Sequence, residues 1–203
     1  MKILCYGDSN TYGYDGDGIF GARFADSERW PELLGRMLGC ETVNCGLNGR
    51  RVPRYQRTRD ADLALLRRCG ERALIIVMLG TNDILGTLHP DAERSAREME
   101  VLLDAVQELG IPRILLIAPP RIELTDLSFD ASYVSGDRSY AERYRSQGKK
   151  LTQLYRELAA RKGYLFADAS SWDLDFAFDA VHLSEKGHET FAEEMTEIMR
   201  EIT

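Results

Sequence analysis

The chain has 203 residues, of which 44% are hydrophobic, and this length suits one domain with its own core. We therefore expect residues 1–203 to form a single domain. Acidic residues number 33 against 26 lysines and arginines, which gives a net charge of −7. An acidic chain is a poor partner for nucleic acid or for an anionic membrane surface, so we expect neither. A small neutral molecule is the easier ligand.

The sequence also predicts a compartment. No apolar run approaches the ~20 residues of a membrane span, and the first residues lack the pattern of a signal peptide. The cysteines lie in or beside apolar runs, without Cys-x-x-Cys spacing: Cys5, Cys40, Cys45 and Cys69. Reduced, buried thiols are typical of a reducing compartment. We therefore expect a cytoplasmic protein without disulfides.

Short apolar segments predict buried strands of a parallel sheet. In chain order they are 2–6, 41–45, 73–79, 113–118 and 164–167. Helical patterns lie between and after them, at 30–38, 62–68, 91–109 and 140–162 and in the segment that follows Ser184. This alternation predicts a three-layer α/β/α sandwich with a five-stranded parallel sheet, in which ligands bind beyond the carboxyl ends of the strands.

Helix boundaries are predicted from capping residues. Ser27 is expected as the N-cap of the first long helix, with Pro31 in its first turn and Gly39 at its end. Ser184 is expected as the N-cap of the last helix, which carries an apolar stripe from Phe191 onward.

Polar residues follow the predicted strands where each strand ends. The segments are Gly7-Asp8-Ser9, Gly46-Leu47-Asn48-Gly49 and Gly80-Thr81-Asn82-Asp83, and Asp179-Ala180-Val181-His182 precedes the last helix. A serine, hydrogen-bond donors and an Asp/His pair would then meet at one edge of the sheet. These are the groups that catalyse acyl transfer in serine hydrolases.

Each of these residues also has a purely structural interpretation. Ser9 could cap a helix, Asn82 could form an Asx-turn, and Gly46 and Gly49 could adopt positive φ. His182 could be a partly buried, hydrogen-bonded histidine without a catalytic role. Their joint occurrence at strand ends favours function, whereas Asp8 is expected to bond the backbone of its own turn.

The blocks GDSNTYG, GLNG, MLGTND and DAVH resemble the SGNH, or GDSL, hydrolases, in that family's order across nearly the whole chain. They look most similar to the small bacterial arylesterase and acyltransferase members. The resemblance implies a flavodoxin-like α/β/α fold, with Ser9 as nucleophile, His182 as base and Asp179 as the residue that orients it. It implies an oxyanion hole formed by the backbone N–H groups of Ser9 and Gly49 and the side-chain amide of Asn82.

The function implied by the resemblance is hydrolysis of short-chain aryl or carbohydrate esters through an acyl-enzyme, with acyl transfer to an alcohol as a second outcome. No cofactor and no metal is expected, the partner is a small-molecule ester, and a homo-oligomer fits the analogy with relatives. The chain departs from the family pattern at Asn10, where leucine is usual, and at Asn48 and Arg51, where serine and threonine are common.

Two alternatives remain open from the residues alone. One is a metal-dependent phosphoesterase, because hard or borderline ligands are present: Asp8, Asn82, Asp83, Asp179 and His182. The other is a non-catalytic module that binds a carbohydrate or a protein through the same cleft. A loop rich in aromatic residues either borders that cleft or only packs against itself, with Tyr12, Tyr14, Ile19, Phe20 and Phe24.

Overall fold

The fold is known from a computed structural model that describes residues 2–18, 22–68, 74–123 and 139–202, with only the backbone for residues 139 and 140. The strands are β1 Lys2–Gly7, β2 Glu41–Gly46, β3 Leu74–Met78, β4 Ile114–Ala118 and β5 Leu165–Asp168. They form one parallel sheet in the order β2-β1-β3-β4-β5. The predicted strands are confirmed to within one residue at each end that is described.

Helices cover both faces of this sheet. They are α1 Ser9–Tyr12, α2 Trp30–Leu38, α3 Gln56–Arg68, α4 Thr81–Leu85, α5 Ala92–Gln107, α6 Ser139–Lys162 and α7 Glu185–Ile202. None of the helices in the described parts of the chain is long and apolar enough to cross a membrane.

The core is divided by the sheet into two parts. Ile3 and Cys5 of β1 belong to the part on the face of α2 and α7, whereas Leu4 and Tyr6 belong to the part on the face of α3, α5 and α6. This alternation follows from the period of two residues in a strand. The predicted three-layer α/β/α sandwich is therefore confirmed, while the single domain over residues 1–203 stays a prediction.

The cysteines follow the same division. Cys5 and Cys45 are both buried, but they belong to opposite faces of the sheet. Cys5 and Cys40 are free thiols, and Cys69 lies outside the described residues.

The starts of α5 and α6 lie within one residue of the predicted 91 and 140, and three other helix starts test a predicted cap or boundary. Ser184 caps α7, because its Oγ accepts a hydrogen bond from the N–H of Gly187 at 3.0 Å. The expectation for Ser27 is wrong: α2 begins at Trp30, and Ser27 lies in a separate turn before it. Helix α3 begins at Gln56, six residues before its predicted start at 62, because its polar first turns carry no apolar period.

The strand order places a crevice at the carboxyl ends of β1 and β3. From β1 the chain goes first to β2 on one side and then to β3 on the other, so the connections diverge between β1 and β3. Ligands of open α/β sheets bind at such a switch point. Ser9 follows β1 and Asn82 follows β3, so both lie in the first turn of a helix at this crevice.

Candidate active site

Ser9, His182 and Asp179 form one hydrogen-bonded line at this edge of the sheet. Ser9 Oγ lies 3.0 Å from His182 Nε2, and His182 Nδ1 lies 2.5 Å from Asp179 Oδ2. The serine begins α1 and is buried, whereas 20% of the histidine side chain is exposed. The fold therefore brings together a serine and a histidine that are 173 positions apart in the chain.

The Asp179 carboxylate is held in its ionised form. Burial raises its pKa, but hydrogen bonds from the His182 ring and from the backbone N–H groups of His182 and Val181 outweigh burial and lower the pKa to about 2. The two backbone bonds to Oδ1 are each 2.9 Å long. An ionised carboxylate beside Nδ1 favours the tautomer that carries its proton there, which leaves Nε2 as an acceptor facing the serine.

A sharp turn in residues 177–183, the His182 loop, allows Asp179 and His182 to meet. Ala180 lies between them with φ of +57°, and its N–H donates to the carbonyl of Ala177 at 2.9 Å. The N–H of Ala177 in turn donates to the carbonyl of His182 at 2.8 Å. The left-handed conformation costs an L-residue about 1–2 kcal/mol. Sequence reasoning missed this position, because alanine carries no signal for positive φ.

One residue of the predicted aromatic loop contacts the histidine. The ring of Tyr14 packs against His182 with 4.6 Å between the ring centroids and 51° between the planes. Phe24 packs instead against the buried His188, at 5.3 Å. Residues 19 and 20 of the predicted loop lie outside the described residues.

The glycines after β2 have different structural roles. Gly49 lies in residues 47–50, the Gly49 turn, which is closed by a 3.1 Å hydrogen bond from Arg50 N–H to the Leu47 carbonyl. Gly49 has φ of +70°, as its structural interpretation predicts, and a Cβ there would contact nothing within 4 Å. The same interpretation is wrong for Gly46, where a Cβ would lie 2.1 Å from the backbone nitrogen of Tyr12. Gly46 therefore allows α1 to approach β2 closely.

The side chain of Asn82 reaches the Gly49 turn. Asn82 is in α4, and its Nδ2 donates to the carbonyl of Arg50, outside its own turn, at 3.1 Å. The second N–H of this amide remains for a ligand. Within the described parts of the chain, the backbone N–H groups of Ser9 and Gly49 donate to no protein acceptor.

Arg50 connects the Gly49 turn to β1, a role that sequence reasoning missed. Its buried guanidinium donates to the Gly7 carbonyl at 2.9 Å and also to the Cys45 carbonyl, and lies 4.3 Å from the centroid of the Tyr6 ring. Its Nε is 3.6 Å from Asp62. An arginine in a polar loop usually lies in solvent, so the sequence carried no signal for this position.

Two carboxylates are buried beneath the site. Asp8 Oδ1 accepts from the N–H of Asn10 at 3.0 Å, which confirms its predicted role in its own turn, and Asp83 Oδ2 accepts from the N–H of Val52 at 3.0 Å. Burial raises the pKa of each carboxyl to about 6. Over the described ranges, no group of three His, Cys, Asp or Glu residues is arranged to hold a metal ion.

The fold and the Ser–His–Asp line define a class, the α/β serine hydrolases. The chain has no G-x-S-x-G motif, so it does not use the nucleophile elbow of the α/β-hydrolase fold. In comparisons with known proteins, the model of the GDSL-like lipase/acylhydrolase family matches residues 5–190. The chain belongs to this family, and it is an enzyme of the SGNH hydrolase type.

Solved structures agree with this assignment. The native aryl esterase of M. smegmatis is 25% identical, with 100% of this chain and 99% of that chain covered and a TM-score of 0.82. A carbohydrate acetylesterase family member from Sinorhizobium meliloti is 27% identical, with 99% and 98% covered and a TM-score of 0.83. No curated protein matches the sequence.

Proposed function

We propose that this protein hydrolyses small, short-chain acyl esters through an acyl-enzyme on Ser9, with His182 as the base and Asp179 as its orienting carboxylate. The observation that carries the proposal is the hydrogen-bonded line from Ser9 Oγ through the imidazole to Asp179 Oδ2. A serine hydroxyl is a poor nucleophile unless a neutral imidazole accepts its proton, and Nε2 lies at the distance this transfer needs.

In the acylation step, Ser9 Oγ attacks the ester carbonyl while its proton moves to His182 Nε2. The carbonyl π electrons move to the oxygen and give a tetrahedral oxyanion. When the oxyanion collapses, the bond to the alcohol breaks, and the leaving alkoxide takes the proton from Nε2. The products of this step are the free alcohol and the Ser9 ester, and Asp179 stays ionised throughout.

The oxyanion needs preorganised neutral donors. In the proposed site these are the N–H groups of Ser9 and Gly49 and the side-chain amide of Asn82. The hydrogen bond from Asn82 to the Arg50 carbonyl supports this assignment, because it fixes the amide beside the residue that follows Gly49.

Deacylation repeats the chemistry with a new nucleophile. Water gives up a proton to Nε2 and attacks the acyl carbon, and the proton then returns to Ser9 Oγ as the acid leaves. An alcohol that enters the same place gives an ester instead, so acyl transfer uses the same residues.

The proposed substrate class is esters with short acyl groups. The aryl esterase and the carbohydrate acetylesterase among the similar structures support aryl and carbohydrate acetates as the substrate class.

Replacing the nucleophile tests the reaction. We expect Ser9→Ala to lower kcat for p-nitrophenyl acetate by a factor on the order of 10⁶ and to abolish the mass adduct with a fluorophosphonate. The control is Ser27→Ala, which changes an exposed serine away from the site and should keep both. A Ser9→Ala variant as active as the wild type would overturn the proposal.

A substrate series tests the acyl group and the acceptor. Activity with p-nitrophenyl esters should fall from acetate to octanoate, and adding a primary alcohol should divert part of the acetate into a new ester. Faster hydrolysis of octanoate would contradict the short-chain assignment, and absence of the new ester would contradict transfer. Loss of activity in a strong chelator would favour the metal-dependent phosphoesterase instead.

A further inference from the structure

Asn10 is a buried polar residue that the mechanism above does not use. It follows Ser9 in α1, and only 2% of it is exposed. Its Nδ2 donates to the carbonyl of Val181 at 3.1 Å, and its Oδ1 accepts from the N–H of Leu183 at 2.9 Å. Val181 and Leu183 are the two chain neighbours of His182. Both ends of one amide are therefore bonded to the backbone on either side of the histidine.

These two bonds join the nucleophile to the base through neighbouring residues. The backbone of Asn10 is continuous with that of Ser9, so a shift of the His182 loop relative to α1 would break both amide bonds. Buried polar groups without partners are costly, which makes this arrangement resistant to displacement. Ser9 is in α1 and His182 is in the His182 loop, so the 3.0 Å distance from Ser9 Oγ to His182 Nε2 spans the same two segments.

Other contacts hold the His182 loop together internally. Asp179 Oδ1 accepts from the N–H groups of Val181 and His182, and the ring of His182 meets Asp179 Oδ2. None of these bonds involves α1. Trp30 anchors Asn10 separately, because its indole N–H donates to the backbone carbonyl of Asn10 at 3.0 Å, a bond that survives side-chain substitution.

We infer that Asn10 is a positioning residue: its amide sets the location of His182 relative to Ser9, while the Asp179–His182 pair forms without it. This inference rests on the proposed function. Reacting groups must be held within a fraction of an ångström, and a displacement of about 1 Å can cost about 10²-fold in rate. A leucine of similar size can make neither bond.

The test compares Asn10→Leu with wild type in three measurements. The first is the acylation rate with p-nitrophenyl acetate, which should fall about 10- to 100-fold. The second is the downfield proton NMR resonance of the His182 Nδ1···Asp179 Oδ2 hydrogen bond, assigned by its absence in His182→Ala. This resonance should persist, because the pair is closed within its own loop.

The third measurement is a double-mutant cycle with His182→Ala. If Asn10 acts through the imidazole, Asn10→Leu should leave the residual rate of His182→Ala unchanged. A substitution that disturbed Ser9 or the oxyanion donors directly would lower that rate further. A purely structural defect would also remove the resonance.

Two further variants keep the test decisive. Asn10→Ser leaves room for water beside the two backbone groups, so it should fold even if Asn10→Leu does not, and it should show the same slow acylation. Ser95→Ala is the matched control, because it removes a buried hydroxyl that donates to the Asp91 carbonyl at 3.1 Å in α5. It should acylate like wild type.

The outcomes separate the two proposals. If wild type shows no turnover that depends on Ser9, the proposed function fails, and the role of Asn10 fails with it. If wild type turns over and the folded Asn10 variants acylate within twofold of it, only the positioning role is overturned. The same conclusion follows if Asn10→Leu slows the His182→Ala variant further.

Discussion

The His182 loop and the Gly49 turn are joined to the first helix and strand by different contacts. The His182 loop is joined to α1 by the neutral amide of Asn10, through two hydrogen bonds. The Gly49 turn is joined to β1 by the charged guanidinium of Arg50, which bonds two strand carbonyls and lies near Asp62. The link from the His182 loop to α1 is therefore neutral, whereas the link from the Gly49 turn to β1 carries a buried charge.

This difference predicts how each side responds to mutation and to pH. The hydrogen bonds of the neutral Asn10 amide do not titrate, but they depend on exact geometry. A substitution on this side should therefore lower activity by displacing the His182 loop. Buried ionisable groups change their interactions when they titrate, and Asp83, whose pKa burial raises to about 6, bonds the chain just beyond the Gly49 turn at Val52. On the Gly49 side, Asp83 should therefore make a contribution to stability that depends on pH.

The largest effect is expected on the His182 side. Asp179→Asn keeps the shape but removes the ionised carboxylate proposed to orient the imidazole, so kcat for p-nitrophenyl acetate should fall by up to about 10⁴-fold. The matched control is Asp173→Asn, at an exposed aspartate six positions earlier, which should be near wild type. A decrease of less than about tenfold would show that Asp179 is not the orienting group.

A smaller effect is expected on the Gly49 side. Asn82→Ala removes one of the proposed oxyanion donors. Loss of such a donor costs about 2.7–4 kcal/mol in a known serine hydrolase, so kcat should fall about 10²–10³-fold with little change in KM. Steady-state kinetics measure kcat and KM separately. Asn48→Ala is the control, because Asn48 is exposed beside Gly49 and should leave kcat unchanged. Equal rates for wild type and Asn82→Ala would remove Asn82 from the oxyanion hole.

The smallest effect concerns stability and pH. Asp83 binds its proton more tightly in the folded than in the unfolded protein, because burial raises its pKa from 3.8 to about 6. Between these values the folded state holds more protons, so the contribution of Asp83 to the free energy of unfolding decreases as pH rises from about 4 to 6. Asp83→Asn should therefore gain stability relative to wild type over that window, by on the order of 2–3 kcal/mol.

Urea unfolding of wild type and Asp83→Asn at a series of pH values measures this difference. Asp60→Asn, at an exposed position of α3, controls for the change in net charge. A stability difference that stays constant between pH 4 and 7 would show that Asp83 titrates normally in the folded protein.

Much of the architecture follows from local sequence patterns. The run from Leu74 to Met78 is buried on both sides and lacks alternation, which is characteristic of a central parallel strand. Gly39 and Ser184 mark helix ends through conformational and capping preferences of single residues. Such signals depend on a few neighbouring residues, so the sequence alone predicts these strands and helix ends.

Other local features could not be predicted, because distant groups decide them. Ser27 has the right chemistry for an N-cap, but α2 starts at Trp30, whose indole bonds the carbonyl of Asn10. Ala180 adopts positive φ because Asp179 and His182 must meet, and alanine has no intrinsic preference for positive φ from which this could be predicted. The side-chain amide of Asn82 donates to the carbonyl of Arg50, 32 positions away.

The sequence by itself determined the order of strands and helices and the residue types at the strand ends, because periodicity and turn chemistry are local. It also identified Ser9, Asn10 and His182 as residues of interest, but left the reason for Asn10 open. Only the tertiary structure placed the Asn10 amide against both neighbours of His182 and the Arg50 guanidinium against the end of β1. Those contacts join segments far apart in the chain, and sequence spacing carries no information about which distant backbone groups a polar side chain will meet.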